Sequence, residues 1–68
     1  MRYTIMIQFD DVDQIYIASV PELQGCMAHG KTQAEALEEV SVVFEMWMEE
    51  AKSAGRQIPK PSLYAHAI

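Results

Sequence analysis

Cysteine is scarce in this sequence: Cys26 is the only one among 68 residues. A single thiol excludes a disulfide within the chain, and it also excludes a zinc module built from cysteines. A domain of this length seldom gains more than a few kcal/mol from its own core, and disulfides, metals or self-association commonly supply the rest. With the first two devices excluded, we expect the chain to associate with itself.

Positive charge is limited too. Five lysines and arginines stand against ten aspartates and glutamates, so the formal net charge is −5 at pH 7. This sign repels phosphate backbones, which argues against direct nucleic-acid binding, and it attracts a basic protein partner. No apolar run approaches the roughly 20 residues of a membrane span, and the N-terminus does not have the apolar core of a signal peptide. With its single thiol, the chain is expected to be cytoplasmic, without membrane binding.

Apolar residues, by contrast, are plentiful and make up 50% of the chain. This share is too high for a disordered protein. Sixty-eight residues leave room for one domain. We therefore predict a single domain over residues 1–68, with no separate DNA-binding domain.

Three short segments have the composition of β-strands. The first, from Arg2 to Asp10, alternates apolar and polar residues, which is typical of a strand with one buried face. A second apolar run covers Ile15 to Val20, and a third covers Cys26 to His29. The aspartates at 10–13 predict a hairpin turn, and Pro21 ends the second strand because it has no N–H to donate. The predicted buried face of the first strand consists of Tyr3, Ile5, Ile7 and Phe9.

A long amphipathic helix follows the strands. Thr32 and Glu35 have the spacing of a capping box, in which each side chain accepts a hydrogen bond from the other residue's backbone N–H. Periodicity continues to about Ala54, and Gly55 suits the position just after a helix end. The stripe expected to face the core consists of Leu37, Val40, Phe44, Trp47 and Ala51, widened by Ala36, Val43 and Met48.

Together these elements predict an α+β fold. Their order is β-β-β-α, with the long helix packed on one face of a three-stranded antiparallel sheet. Pro59 and Pro61 prevent renewed helix, and Ser62–Ile68 is either a short fourth strand or a loose tail.

The side of the helix away from the core stripe is a candidate contact surface. At 100° per residue, Val42 and Met46 fall among several glutamates. One interpretation is a solvated face with two stray apolar residues. The other is an interface with an apolar centre and a charged rim, used for a partner or for self-association. The residues predicted to bind a partner are Glu35, Glu38, Glu39, Val42, Met46 and Glu49.

No group of residues amounts to an enzyme signature. Asp10, Asp11 and Asp13 are potential cation ligands, which keeps a metal-dependent hydrolase as a remote alternative, but they share one hairpin tip and suit a turn. Cys26 and His29 are three apart, so in a strand they point to opposite faces. We predict a protein that is not an enzyme, with no catalytic residues, metal ligands or cofactor.

One motif runs through most of the chain. The run PELQGC at residues 21–26 is followed by GKTQAEAL at residues 30–37, and in this order and spacing the sequence resembles the HicB-like antitoxin family. Pro21 would end a strand, Gly25 would permit the bend into the next one, and Gly30 would allow a tight turn into the helix cap. The residues that define the motif are Tyr16, Pro21, Leu23, Gly25, Cys26, Gly30, Thr32, Glu35 and Trp47.

The resemblance implies a function as well as a fold. It implies a stand-alone N-terminal HicB domain with a partial ribonuclease H-like fold and no nuclease activity. Such a protein is the antitoxin of a type II toxin–antitoxin pair and neutralises HicA, a small basic mRNA-cleaving toxin, by direct binding. It also implies a homo-oligomer, either a dimer or a tetramer. The net charge of −5 is the sign that a basic toxin would attract.

Two departures from the family pattern keep alternatives open. Family members often carry a glycine before the aromatic residue of the second strand, whereas Gln14 and Ile15 occupy that hairpin here, which leaves its turn type and register open. Longer members continue into a DNA-binding segment that has no counterpart in this sequence, so operator binding is not expected. The alternatives to an antitoxin are a self-assembling HicB-like domain with no toxin and, remotely, the metal-dependent hydrolase.

Overall fold

The structure, a computed structural model, describes residues 2–60, and four elements make up this part of the chain. Strands β1 (Met6–Asp10), β2 (Ile15–Ser19) and β3 (Met27–Gly30) precede helix α1 (Gln33–Ser53). The strands form an antiparallel sheet in the order β1-β2-β3, and α1 packs on one of its faces. The predicted α+β fold is confirmed, while the alternative of a fourth strand at residues 62–68 lies outside the described residues.

The strand register decides which side chains face the helix. Successive residues of a strand point to opposite faces, and the completely buried Ala18 marks the face under α1. The side chains across the sheet therefore fall into rows, alternately towards α1 and away from it. The rows towards α1 are Ile7/Ala18/Ala28 and Phe9/Tyr16/Gly30, and the rows away from it are Met6/Ser19/Met27 and Gln8/Ile17/His29.

The core lies between α1, β2 and the loop that joins β2 to β3. Val20 and Leu23 come from the end of β2 and this loop, and Val40 comes from the middle of α1. Four further residues of the predicted helix stripe pack against this core while remaining partly exposed: Val43, Phe44, Trp47 and Met48. The buried apolar residues are Ala18, Val20, Leu23, Cys26, Ala36, Val40 and Ala51.

Four strand bounds differ from the prediction: β2 ends at Ser19 instead of Val20, β3 ends at Gly30 instead of His29, and β1 and β3 both begin later than expected. β1 begins at Met6 instead of Arg2, because Met6 pairs with Ser19, the last residue of β2, and the backbone N–H of Thr4 donates to the Glu22 carboxylate at 3.1 and 3.2 Å. β3 begins one residue after Cys26, whose N–H instead closes a turn in the loop before it. At the start of β1 a loop contact replaces the expected strand pairing, whereas the carbonyl oxygen of Cys26 still accepts the N–H of Val20 at 2.9 Å.

Three residues predicted to be buried are exposed. Ile7 and Phe9 lie on the helix side of β1, yet their exposed fractions are 37% and 47%. The reason is the position of α1, which packs mainly over β3 and β2 and barely reaches β1. Leu37 is 42% exposed, so its assignment to the core stripe is wrong; it lies on the flank of a stripe centred near Ala36 and Val40.

The β1–β2 hairpin accommodates Gln14 where the family pattern has glycine. Gln14 has a φ of +56°, and its N–H donates to the Asp10 carbonyl oxygen at 2.8 Å. The Asp10 side chain accepts hydrogen bonds from the N–H groups of Val12 at 2.9 Å and Asp13 at 3.4 Å. Asp10 therefore acts as the turn-forming residue that its position predicts.

Two turns form the PELQGC segment and explain its glycine. The N–H of Leu23 donates to the Val20 carbonyl at 3.0 Å, and the N–H of Cys26 donates to the Leu23 carbonyl at 3.1 Å. Gly25 has a φ of +81°, which disfavours any residue with a Cβ, so its predicted role in the bend agrees with its conformation. Leu23 and Cys26 are thereby turned inward, and each is only 2% exposed.

Gly30 has a different structural role from the tight turn that was predicted for it. Its φ lies outside the left-handed region that Gly25 and Gly55 occupy. A Cβ at Gly30 would lie 2.5 Å from the backbone nitrogen of Ala36 and 2.6 Å from the Cβ of Glu35. The glycine is therefore required for the close approach of α1 to β3, and not for a tight turn.

Candidate functional site

The position of α1 is set by a capping box at its first turn. The N–H of Glu35 donates to the Thr32 hydroxyl at 3.0 Å, and the Glu35 carboxylate accepts the N–H of Lys31 at 3.0 Å. The motif thus has the predicted residues, although Glu35 reaches the N–H of Lys31 and not that of Thr32. Glu35 belongs both to this cap and to the predicted contact surface.

Trp47 fixes the other half of the helix. Its indole N–H donates to the carbonyl oxygen of Gln24 at 2.9 Å, and the guanidinium carbon of Arg56 lies 5.7 Å from the centre of its ring. This bond joins α1 to the PELQGC loop and accounts for Trp47 in the motif. The sequence placed Trp47 in the core stripe but did not predict its hydrogen bond to Gln24. Helical spacing indicates which face a tryptophan lies on, and this is the same whether its indole only packs or also donates a hydrogen bond.

The outer helix surface, defined as Glu35, Glu38, Glu39, Val42, Met46 and Glu49, is solvent-exposed throughout. Val42 and Met46 have exposed fractions of 52% and 62%, so more than half of the surface of each residue is open to solvent. Among the described residues, no hydrogen bond or ion pair holds the carboxylates of Glu38, Glu39 and Glu49. The surface is an apolar pair surrounded by carboxylates that are free to meet a partner.

A cleft adjoins the N-terminal end of the outer helix surface. It has a volume of about 590 Å³ and brings together Ile15 of β2, His29 of β3 and the first turns of α1. Glu38 and Glu39 form part of its wall, so the acidic surface continues into a concave site. Sequence reasoning could not find this cleft, since its lining comes from three elements whose packing has no local signal.

The other candidate chemical groups are separated or already engaged. The Asp10 carboxylate holds the hairpin turn, and within residues 2–60 no cluster of three or more His, Cys, Asp or Glu side chains has the geometry of a metal site. Cys26 is buried, and burial raises the pKa of its thiol. His29 lies on the outer face of the sheet, away from Cys26, as the strand geometry predicts. Through the same range, no helix is both long and apolar enough to span a membrane.

Comparison with known proteins gives a consistent assignment. The family model described as "HicB_like antitoxin of bacterial toxin-antitoxin system" matches residues 3–68. A UPF0150 protein of Synechocystis is 36% identical over 59 residues, covering 87% of this chain and 80% of the relative. A UPF0150 protein of Thermoplasma acidophilum is 37% identical over 60 residues, covering 88% and 86%. No solved structure matches. On the family model, and on the residues that build the loop and the capped helix, the chain belongs to the HicB-like antitoxin family of bacterial toxin–antitoxin systems.

Proposed function

We propose that this chain is the antitoxin of a type II pair and neutralises a small basic mRNA-cleaving toxin of HicA type by direct binding. The toxin would dock on the outer helix surface, with Val42 and Met46 as apolar anchors. The observation that supports this choice is the exposure of these two residues, 52% and 62%, inside a ring of carboxylates. Interfaces commonly combine an apolar centre with a polar rim.

The negative charge of the outer helix surface is what favours a basic partner. An RNA-cleaving toxin must present a positive surface to its substrate, and phosphate binding depends on such charges. Glu38, Glu39 and Glu49 would meet that surface and compete with RNA for it, because complementary potentials steer association. Neutralisation would then need no catalytic group from this protein. We further propose that the domain is non-catalytic, cytoplasmic and of the partial ribonuclease H-like type.

The decisive experiment looks for a small basic protein encoded next to this one and pairs the two. Co-expression and co-purification should give a stable complex. Reversing two rim charges with Glu38→Lys and Glu39→Lys should slow association about tenfold at low salt and flatten its salt dependence, since steering depends on those charges. Stopped-flow or surface-plasmon-resonance kinetics at several salt concentrations would measure both effects.

The control reverses charges elsewhere by the same amount. Asp11→Lys with Asp13→Lys changes the net charge equally but acts at the β1–β2 hairpin and not on α1. We expect this variant to associate several times faster than the helix variant. Equal rates for the two variants would mean that only net charge matters and would remove the outer helix surface from the proposal.

A further inference from the structure

The cleft of about 590 Å³ beside Glu38 and Glu39 lies where the end of β3 meets the first turns of α1. We call it the strand–helix cleft. Its sheet side is formed by Ile15, which is half-buried, and by His29, which is exposed. Gly30 brings the two sides together, since a residue without a Cβ lets α1 approach β3 closely. The cleft therefore has a wall that the outer helix surface does not include.

The charge of the strand–helix cleft favours a cation. Three carboxylates, those of Glu35, Glu38 and Glu39, face the single ammonium group of Lys31, so the lining has a formal charge of −2 with His29 neutral. The N–H groups of Lys31 and Glu35, which could attract an anion to this end of α1, already donate within the capping box. Within residues 2–60 no group of three or more His, Cys, Asp or Glu side chains has the geometry of a metal site. The occupant with the best charge complementarity is therefore a basic side chain.

β3 provides a backbone acceptor near these carboxylates. Among the described strands, β3 lies at an edge of the sheet. The N–H of Val20 donates to the Cys26 carbonyl oxygen at 2.9 Å, which makes these two residues a hydrogen-bonded pair. Such pairs alternate with non-bonded ones along an antiparallel ladder, so the backbone carbonyl of His29 points away from β2. A ligand that enters beside β3 can therefore meet a neutral acceptor as well as carboxylates.

We propose, in an inference that rests on the proposed function, that the strand–helix cleft receives one arginine side chain of the basic toxin. Arginine suits it better than lysine, because a planar guanidinium has five donors and can bond to a carboxylate and a carbonyl together. Glu38 and Glu39 would hold the guanidinium, and its methylene stem would lie against Ile15, since long basic side chains cover apolar surface with their stems. The toxin would then contact the sheet through Ile15 and His29 as well as the outer helix surface.

Titration with a small arginine derivative tests the cleft without the toxin. The probe is N-acetyl-arginine amide, and the control is N-acetyl-citrulline amide, which has nearly the same shape but no charge. In ¹⁵N–¹H NMR spectra of the unmodified protein, the arginine compound should shift the signals of Gly30, Glu38 and Glu39 with a dissociation constant of about 1–10 mM. The citrulline compound should leave them unchanged. No shift with the arginine compound at about 50 mM, or equal shifts with both compounds, would overturn the proposal.

A matched pair of lysine variants tests the same cleft in the toxin complex. His29→Lys places an ammonium group inside the cleft, where it competes with the incoming arginine, and should weaken toxin binding at least about tenfold and abolish the NMR shifts. Met27→Lys adds the same charge on β3 but outside the cleft, and should bind the toxin within about twofold of the unmodified protein. Far-UV circular dichroism would establish that both variants keep the fold.

The two experiments separate this inference from the proposed function. A toxin that binds the unmodified protein and both lysine variants equally would overturn the arginine site and leave the antitoxin role standing. Shifts with the arginine compound, but no complex with any neighbouring basic protein, would support the arginine site and contradict the antitoxin role.

Discussion

At the scale of single residues, the thiol of Cys26 is a buried member of the core. Cys26 is 2% exposed and belongs to the same cluster as Leu23 and Val20, the two largest fully buried side chains among the described residues. Burial raises the pKa of the Cys26 thiol, because the thiolate loses its hydration. The side chain therefore behaves as a small apolar residue and not as a nucleophile.

Two substitutions of Cys26 separate packing from polarity. Cys26→Ala leaves a small void and should lower the free energy of unfolding by about 1 kcal/mol. Cys26→Ser is closer in size but buries a hydroxyl, and should cost more, about 1–3 kcal/mol. Urea denaturation followed by circular dichroism gives both values. A serine variant as stable as the unmodified protein would mean that water reaches this site.

The raised pKa of the Cys26 thiol also determines the direction in which folding stability changes with pH. The folded state holds the Cys26 proton more tightly than the unfolded chain, so stability falls as the pH rises above about 9, the ordinary value for the thiol. Cys26→Ala lacks this contribution. The difference in unfolding free energy between the two proteins should therefore shrink as the pH rises above about 9, and a constant difference would contradict the burial of the thiol.

At the scale of elements, the start of α1 combines a structural and a functional role in Glu35. Its carboxylate accepts the Lys31 N–H, and its own N–H donates to Thr32. Thr32→Ala should cost about 1 kcal/mol of stability, as other N-cap truncations do. Glu35→Gln keeps an acceptor in the capping box and should change stability by less than about 0.5 kcal/mol.

The same pair of variants distinguishes the cap from the contact surface. Glu35→Gln removes a charge and should slow toxin association at low salt, whereas Thr32→Ala should leave the association rate unchanged. Thermal unfolding and association kinetics on both variants check the two roles. If Thr32→Ala slowed association as much as Glu35→Gln, the effect would come from fraying of α1 and not from charge.

Elements with local signals were predictable, and those set by packing were not. The helix bounds, Gln33–Ser53, agree with the predicted span from a Thr32 cap to about Ala54, because the cap and Gly55 act within one turn of the chain. The late start of β1 depends instead on where β2 ends, and the exposure of Ile7 and Phe9 depends on where α1 lies over the sheet. No pattern within the sequence of β1 predicts either its late start or the exposure of these two side chains.

The distinction between local sequence signals and tertiary packing also applies to the candidate contact surfaces. The outer helix surface follows from helical geometry alone, so its six members could be chosen from the sequence, and all six are exposed. The side of the sheet away from α1 requires the register of three strands, which the departure at Gln14 left open. That register places Met6 beside Ser19 and Met27, three residues from separate parts of the sequence.

At the scale of the whole molecule, residues 2–60 expose apolar side chains both on the outer helix surface and on the side of the sheet away from α1. The outer helix surface carries glutamates around its apolar pair and suits a basic partner. The two surfaces meet at the cleft beside Glu38 and Glu39, which also contains Ile15 and His29 from the sheet. Met6 and Met27 lie outside this cleft and therefore suit control substitutions.

This arrangement predicts how the toxin complex responds to substitutions on each surface. The variant with Val42→Lys and Met46→Lys should lose at least about tenfold in toxin affinity, because it places two positive charges at the proposed contact with a basic partner. The matched variant with Met6→Lys and Met27→Lys adds the same charge on the side of the sheet away from α1 and should bind the toxin within about twofold of the unmodified protein. Calorimetry gives both affinities, and far-UV circular dichroism establishes that both variants keep the fold. A folded sheet variant that no longer binds the toxin would show that the toxin does not dock on the outer helix surface alone.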